Sequence, residues 1–139
     1  MLIRSASLVL TVVMAHAAEL DKPATFSKDV APIFQKNCQT CHHQGTSAPM
    51  SLMTYAEARP WARSIKERVV RRDMPPWHLD KTVGIRKYKN DRSLSDAEIA
   101  TIARWVDAGA LQGDPADMPP PIAFPPDSEW FIGKPDLLR

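Results

Sequence analysis

Apolar residues recur at helical spacing in only three short stretches of this sequence, and long connections separate them. The first stretch starts near Ser27, carries Val30, Ile33 and Phe34 on one face and ends near Cys38. Pro32 falls early enough in it to be tolerated. The second begins at Thr54, where Thr54 and Glu57 make a capping-box pattern, and sets Ala58, Trp61, Ala62, Ile65 and Val69 opposite Arg59, Arg63, Lys66, Glu67 and Arg71. Pro60 lies inside that span, so the helix kinks or restarts there. The third has the clearest start: Ser95 and Glu98 form a capping box, Leu94 and Ile99 are spaced as a hydrophobic staple, and Ile99, Ile102, Ala103 and Val106 form the stripe. Gly109 is placed to end it. No segment alternates with period two for long enough to be a strand, so the expected fold is small and all-α with long loops.

Such a fold has little apolar surface to bury. The chain has 139 residues, enough for one domain. Residues 39–53 and 73–94 are loops of a length that compact domains keep for functional sites. Small domains with thin cores commonly recruit a metal, a disulfide or a cofactor, and the space between these loops is where one is expected.

The two ends read differently from the middle. Residues 1–18 look like a secretory signal: Arg4, an apolar run from Ala6 to Met14, then Ala15-His16-Ala17, with cleavage expected after Ala17 or Ala18. The run is about half of the roughly 20 residues that cross a bilayer, so stable membrane insertion is not expected and the mature protein is expected to be periplasmic or secreted. Residues 113–139 hold most of the prolines, including Pro119-Pro120-Pro121 and Pro125-Pro126, and read as a linker or a strap across the surface. The formal net charge of +2 conceals an asymmetry: residues 59–92 carry +7 and residues 93–139 carry −5. Neither the net charge nor the sparse mixing of basic and aromatic residues suits a nucleic-acid partner.

The chain has two cysteines, and both fall in Cys38-Gln39-Thr40-Cys41-His42. C-x-x-C-H is the pattern that attaches one haem c: two thiols three positions apart reach the two vinyl groups of one porphyrin, and the histidine then lies beneath the iron. A helical turn puts both sulfurs on one side of the chain with the imidazole next on the same turn. Haem is attached to such motifs outside the cytoplasm, in agreement with the export signal. Three other readings compete: a disulfide closing a tiny loop, a redox pair lacking its sheet context, and a zinc site from Cys38, Cys41, His42 or His43 and His78 lacking a second paired ligand motif.

The order of these features, with CQTCHH followed by Ala48-Pro49-Met50-Ser51-Leu52, Met74-Pro75-Pro76-Trp77 and LSDAEIATIARWVDAG, resembles a c-type cytochrome domain over about residues 25–112. The resemblance implies packed helices of which the first and last cross, with Phe34 and Trp105 near the crossing. It implies that the Pro49 carbonyl accepts the Nδ1 proton of His42, and that Leu52 lines the haem face. Residues 77–92 are an insertion relative to simple members. More narrowly, residues 37–135 resemble the N-terminal cytochrome-like modules of longer exported redox proteins, some of which continue into copper-dependent monooxygenase-like domains.

Five side chains compete for the distal ligand: Met74, Met50, Met53, His43 and His78. Met74 has the best case, because Pro75 and Pro76 stiffen the chain after it and it matches the family's Met-Pro pattern. Trp61 and Trp77 are candidate walls for the porphyrin. Arg71, Arg72, Lys81, Arg86, Lys87, Lys89 and Arg92 could form a basic rim for an acidic redox protein partner. The expected function is single-electron transfer by one haem, not catalysis. The alternative is a haem-based sensor or peroxidase-like module with a distal site other than methionine.

Overall fold

The computed structural model describes residues 22–84 and 88–124. The expected signal segment, Arg86, Lys87 and the end of the tail from residue 125 lie outside them. Helices and turns make up all the regular structure among the described residues, with no strand.

The first helical segment is a π-helical turn, Phe26–Val30, running directly into α1, Ala31–Asn37. Pro32 sits in the first turn of α1, at the junction with the π-helical turn, and donates no amide bond back to that turn. The amides of Phe26 and Ser27 donate to the carbonyls of Leu111 and Gln112, each at 2.9 Å, so chain from the far end of the domain satisfies the first exposed donors. Cys38 caps the C-terminus, and the helix ends where it was expected to.

The second segment is interrupted at Pro60. Helix α2, Tyr55–Ala58, starts on the Thr54/Glu57 capping box; a 3₁₀ turn, Arg59–Trp61, comes next; and α3, Ala62–Val70, restarts beyond it. Pro60 supplies no N–H and favours the first turn of a new helix, so the register shifts there. Ala58, Ala62, Ile65 and Val69 reach the core, whereas Trp61, expected on the same stripe, is 43 % exposed. The 3₁₀ turn rotates it off the buried face.

Helix α4, Asp96–Asp107, has the expected Ser95/Glu98 capping box and closes in a Schellman motif, with Gly109 N–H on the Val106 carbonyl and Ala110 N–H on that of Trp105. Gly109 has φ +91°, a conformation glycine adopts without strain. Ile102 and Trp105 lie at the centre of the buried face, with Ile99 and Val106 at its edges.

The expected crossing is present. Phe34 and Trp105 meet edge to face with ring centroids 6.4 Å apart, and Phe26 packs against Phe34, Tyr55 and Trp105 at 6.0, 5.6 and 5.8 Å. Phe26, Phe34 and Trp105 are fully buried. Two polar handles of this cluster reach the chain just past α4: Trp105 Nε1–H donates to the Leu111 carbonyl and Tyr55 O–H to that of Ala110, each at 2.9 Å.

Contacts with the helical segments continue past residue 112. Gly113 passes so close to Thr25 that a Cβ there would meet Thr25 Cβ at 2.6 Å. Met118 packs on the core, Gln35 Nε2 donates to the Pro120 carbonyl at 2.9 Å, and the Phe124 ring stacks on the His43 ring with centroids 4.0 Å apart. Residues 113–124 lie against the helical segments through these contacts, and the rest of the tail lies outside the described residues. No helix among the described residues is long and apolar enough to cross a membrane.

Candidate haem-attachment site

The Cys38–His42 motif folds as one helical turn carried on from α1. Cys41 N–H and His42 N–H both donate to the Cys38 carbonyl, at 3.1 and 3.0 Å, while Cys38 N–H and Gln39 N–H donate back to Phe34. The turn inherits its orientation from the buried Phe34, which the aromatic cluster fixes. Both cysteines are free thiols, Cys41 exposed and Cys38 partly buried. Burial pushes the Cys38 thiol up to about 12, and the charges of Glu98 and Cys41 push it the same way.

The returning loop orients the motif's histidine. His42 Nδ1 lies 3.0 Å from the Met50 carbonyl oxygen. A carbonyl can only accept, so Nδ1 carries the proton and Nε2 keeps its lone pair for a metal. The acceptor expected from the resemblance was the carbonyl of Pro49; it is that of the next residue. The loop returns so that Leu52 N–H reaches the His42 carbonyl at 2.9 Å, and the carbonyl that faces the imidazole is therefore two residues before Leu52. Leu52 is buried, and Gln39 Nε2–H donates to its carbonyl at 3.0 Å. Gln39 is almost fully buried in the motif and ties it to the returning loop. No sequence signal marked it, because a glutamine between the cysteines reads as surface.

His43 turns away from this arrangement: its Nδ1–H donates to the Gln39 carbonyl at 2.7 Å and its ring faces Phe124. Met50 packs on the core and Met53 is half-buried. Met74 lies just past the end of α3, its backbone steered by the bonds of Asp73 N–H and Met74 N–H to the Arg68 carbonyl. It lines a small cavity with Val69, Pro75, His78, Leu94 and Ile99, and is 42 % exposed. Trp77 is 88 % exposed on the loop beyond it. Among the described residues, no three His, Cys, Asp or Glu side chains converge as a zinc site would require.

Of the five described residues of the basic rim, three are engaged in ion pairs. Arg71 pairs with Glu67 and Asp73, Arg72 with Asp96 and Lys81 with Asp91. Among the described residues of the rim, Arg92 turns toward the motif, its Nη1 3.6 Å from Cys41 Sγ.

These residues fit a covalently held haem: two free thiols one helical turn apart, an imidazole in the tautomer that leaves Nε2 open, and buried aliphatic surface beside it. No curated protein and no solved structure matches the chain. A family model, cytochrome c oxidase, cbb3-type, subunit III, matches residues 27–106, which includes the motif and all but the outermost residues, Phe26 and Asp107, of the three helical segments. That match spans more than half of the sequence, and the chain belongs to this family of c-type cytochrome domains, whose members carry haem c and transfer electrons.

Proposed function

We propose that this protein is an exported cytochrome with a single haem, passing one electron at a time between redox proteins, with Cys38 and Cys41 as the attachment residues and His42 and Met74 as the axial ligands. The observation that carries the reading is the hydrogen bond from His42 Nδ1 to the Met50 carbonyl, which presents Nε2 on the same turn as the two thiols. Haem c, when bound, supplies a one-electron Fe(III)/Fe(II) couple.

The chain's own residues do the rest. The buried Phe34 anchors the attachment turn, so the imidazole is held by packing as well as by its hydrogen bond. Gln39 ties the buried Leu52 to the motif, which fixes the returning loop beside the imidazole. Met74 would supply a thioether that favours Fe(II) and fills the sixth position, leaving no open site for oxygen or substrate chemistry. What supports Met74 is its place at the end of α3, pinned from behind by Arg68 and succeeded by two prolines. Trp77 and Met74 are both exposed on the loop between α3 and α4 and supply apolar surface there. Among the described residues of the rim Lys89 and Arg92 pair with no carboxylate, and the preference for an acidic partner rests on them rather than on the whole basic segment.

The test is a visible spectrum of protein made with haem-attachment machinery, beside Met74→Ala. The reading expects low-spin spectra and a weak far-red iron–thioether band that Met74→Ala abolishes. A band that survives the substitution removes Met74 from the ligand set. A high-spin ferric spectrum in the unsubstituted protein contradicts the carrier reading and favours a sensor or peroxidase-like module. His78 lines the same cavity as Met74, and a low-spin spectrum with no far-red band in the unsubstituted protein would transfer the ligand role to it.

A further inference from the structure

We propose that Arg92 is a positioning residue for the redox centre: its guanidinium, set against Cys41, places an uncompensated positive charge at the attachment edge and shifts the couple toward Fe(II). The inference rests on the reading of Cys41 as an attachment residue.

Arg92 and Cys41 come from the two long loops, 51 positions apart, and meet with Nη1 3.6 Å from Sγ. The loop that leaves α3 at Arg71 returns to the motif at this point, and the return is fixed on both sides of Arg92. The Asp91 carboxylate accepts from Ser93 N–H at 2.9 Å and holds the Lys81 ammonium at 2.8 Å. Leu94 is buried two residues later. The backbone carrying Arg92 is thus held by a turn and a core contact.

Charge balance leaves Lys89 and Arg92 as the unpaired cations among the described residues of this stretch, and of the two it is Arg92 that is set against Cys41. Arg71, Arg72 and Lys81, from the same stretch, each sit on a carboxylate, and Asp91, next to Arg92 in sequence, is engaged by Lys81. Among the described residues no carboxylate pairs with Arg92. Reduction adds one negative charge to the iron centre, so a fixed cation nearby stabilises the reduced state more than the oxidised one. Arg92 is in contact with solvent, which screens part of the effect, so the expected size is about a three- to tenfold change in the Fe(II):Fe(III) ratio at fixed ambient potential.

The experiment is a spectroelectrochemical titration of the haem-loaded protein, its Arg92→Gln and Arg92→Lys variants, and Lys89→Gln as a loss of like charge elsewhere in the loop. Arg92→Gln is expected to lower the Fe(II):Fe(III) ratio about three- to tenfold at the wild-type midpoint, Arg92→Lys to restore most of it, and Lys89→Gln to change it less. An Arg92→Gln midpoint equal to that of the wild type, or an equal drop in Lys89→Gln, overturns the assignment. An Arg92→Gln protein that takes up no haem while the wild type does would move Arg92 to the attachment step and overturn it as well. A wild type without covalent haem would bring down the attachment reading itself, and this inference with it.

Discussion

His42 Nδ1 and the main-chain oxygen of Met50, 3.0 Å apart, form the contact that orients the motif's imidazole. Because the acceptor belongs to the backbone, the side chain at position 50 is free to change. Met50→Leu is expected to keep the low-spin spectrum of the loaded protein, whereas His42→Ala abolishes it. Loss of the low-spin spectrum in Met50→Leu would show that the thioether matters rather than the carbonyl.

Trp105 holds the crossing of the first and last helical segments and also donates to Leu111. Trp105→Ala removes a fully buried indole and is expected to cost about 3–5 kcal/mol by denaturant unfolding. A loss under about 1 kcal/mol would mean that the crossing is not the centre of the core.

Glu98 makes the fold sensitive to acid. Burial pushes its carboxyl up, but hydrogen bonds from Ser95 N–H and Oγ–H and from the Lys36 ammonium outweigh burial and hold it below its ordinary value. A carboxyl lowered in the folded state contributes stability that is present above its unfolded pKa of about 4.3 and is lost as pH falls through the folded value. Glu98→Gln is expected to destabilise by about 1 kcal/mol at neutral pH through the weakened cap, with the gap to wild type closing as pH drops below about 4. A gap that does not change with pH would contradict this account of the acid.

Gly113 lets the chain beyond α4 approach the N-terminal turn. With φ +82° and Thr25 Cβ at 2.6 Å from a would-be Cβ, Gly113→Ala is expected to cost about 1–2 kcal/mol or more. The amides of Phe26 and Ser27, which donate to Leu111 and Gln112, should then exchange faster while those in the middle of α4 hold. Unchanged exchange at Phe26 and Ser27 would show that the chain at Gly113 does not restrain that turn.

Features set by neighbours in sequence were legible before the structure. Both capping boxes, the glycine stop of α4 and the helical turn of the attachment motif depend on residues within five positions of each other, and all four are present. Trp61 was misplaced because a helical stripe drawn through Pro60 assumes one register, and the 3₁₀ turn breaks it. The contacts made at long range left no local signal. Phe124 on His43, Arg92 on Cys41 and the choice of Met50 over Pro49 as acceptor depend on how the loops return, which periodicity does not encode. The resemblance placed Phe34 and Trp105 together; the apolar spacing of α4 had centred its stripe one step away, on Ile99, Ile102, Ala103 and Val106.

The most direct test of the central claim is the mass of the protein after denaturation, when it is produced with haem-attachment machinery, beside a Cys38→Ala/Cys41→Ala variant. The account predicts one haem retained covalently by the wild type and none by the double variant. A wild-type chain that denatures to its bare polypeptide mass would contradict it.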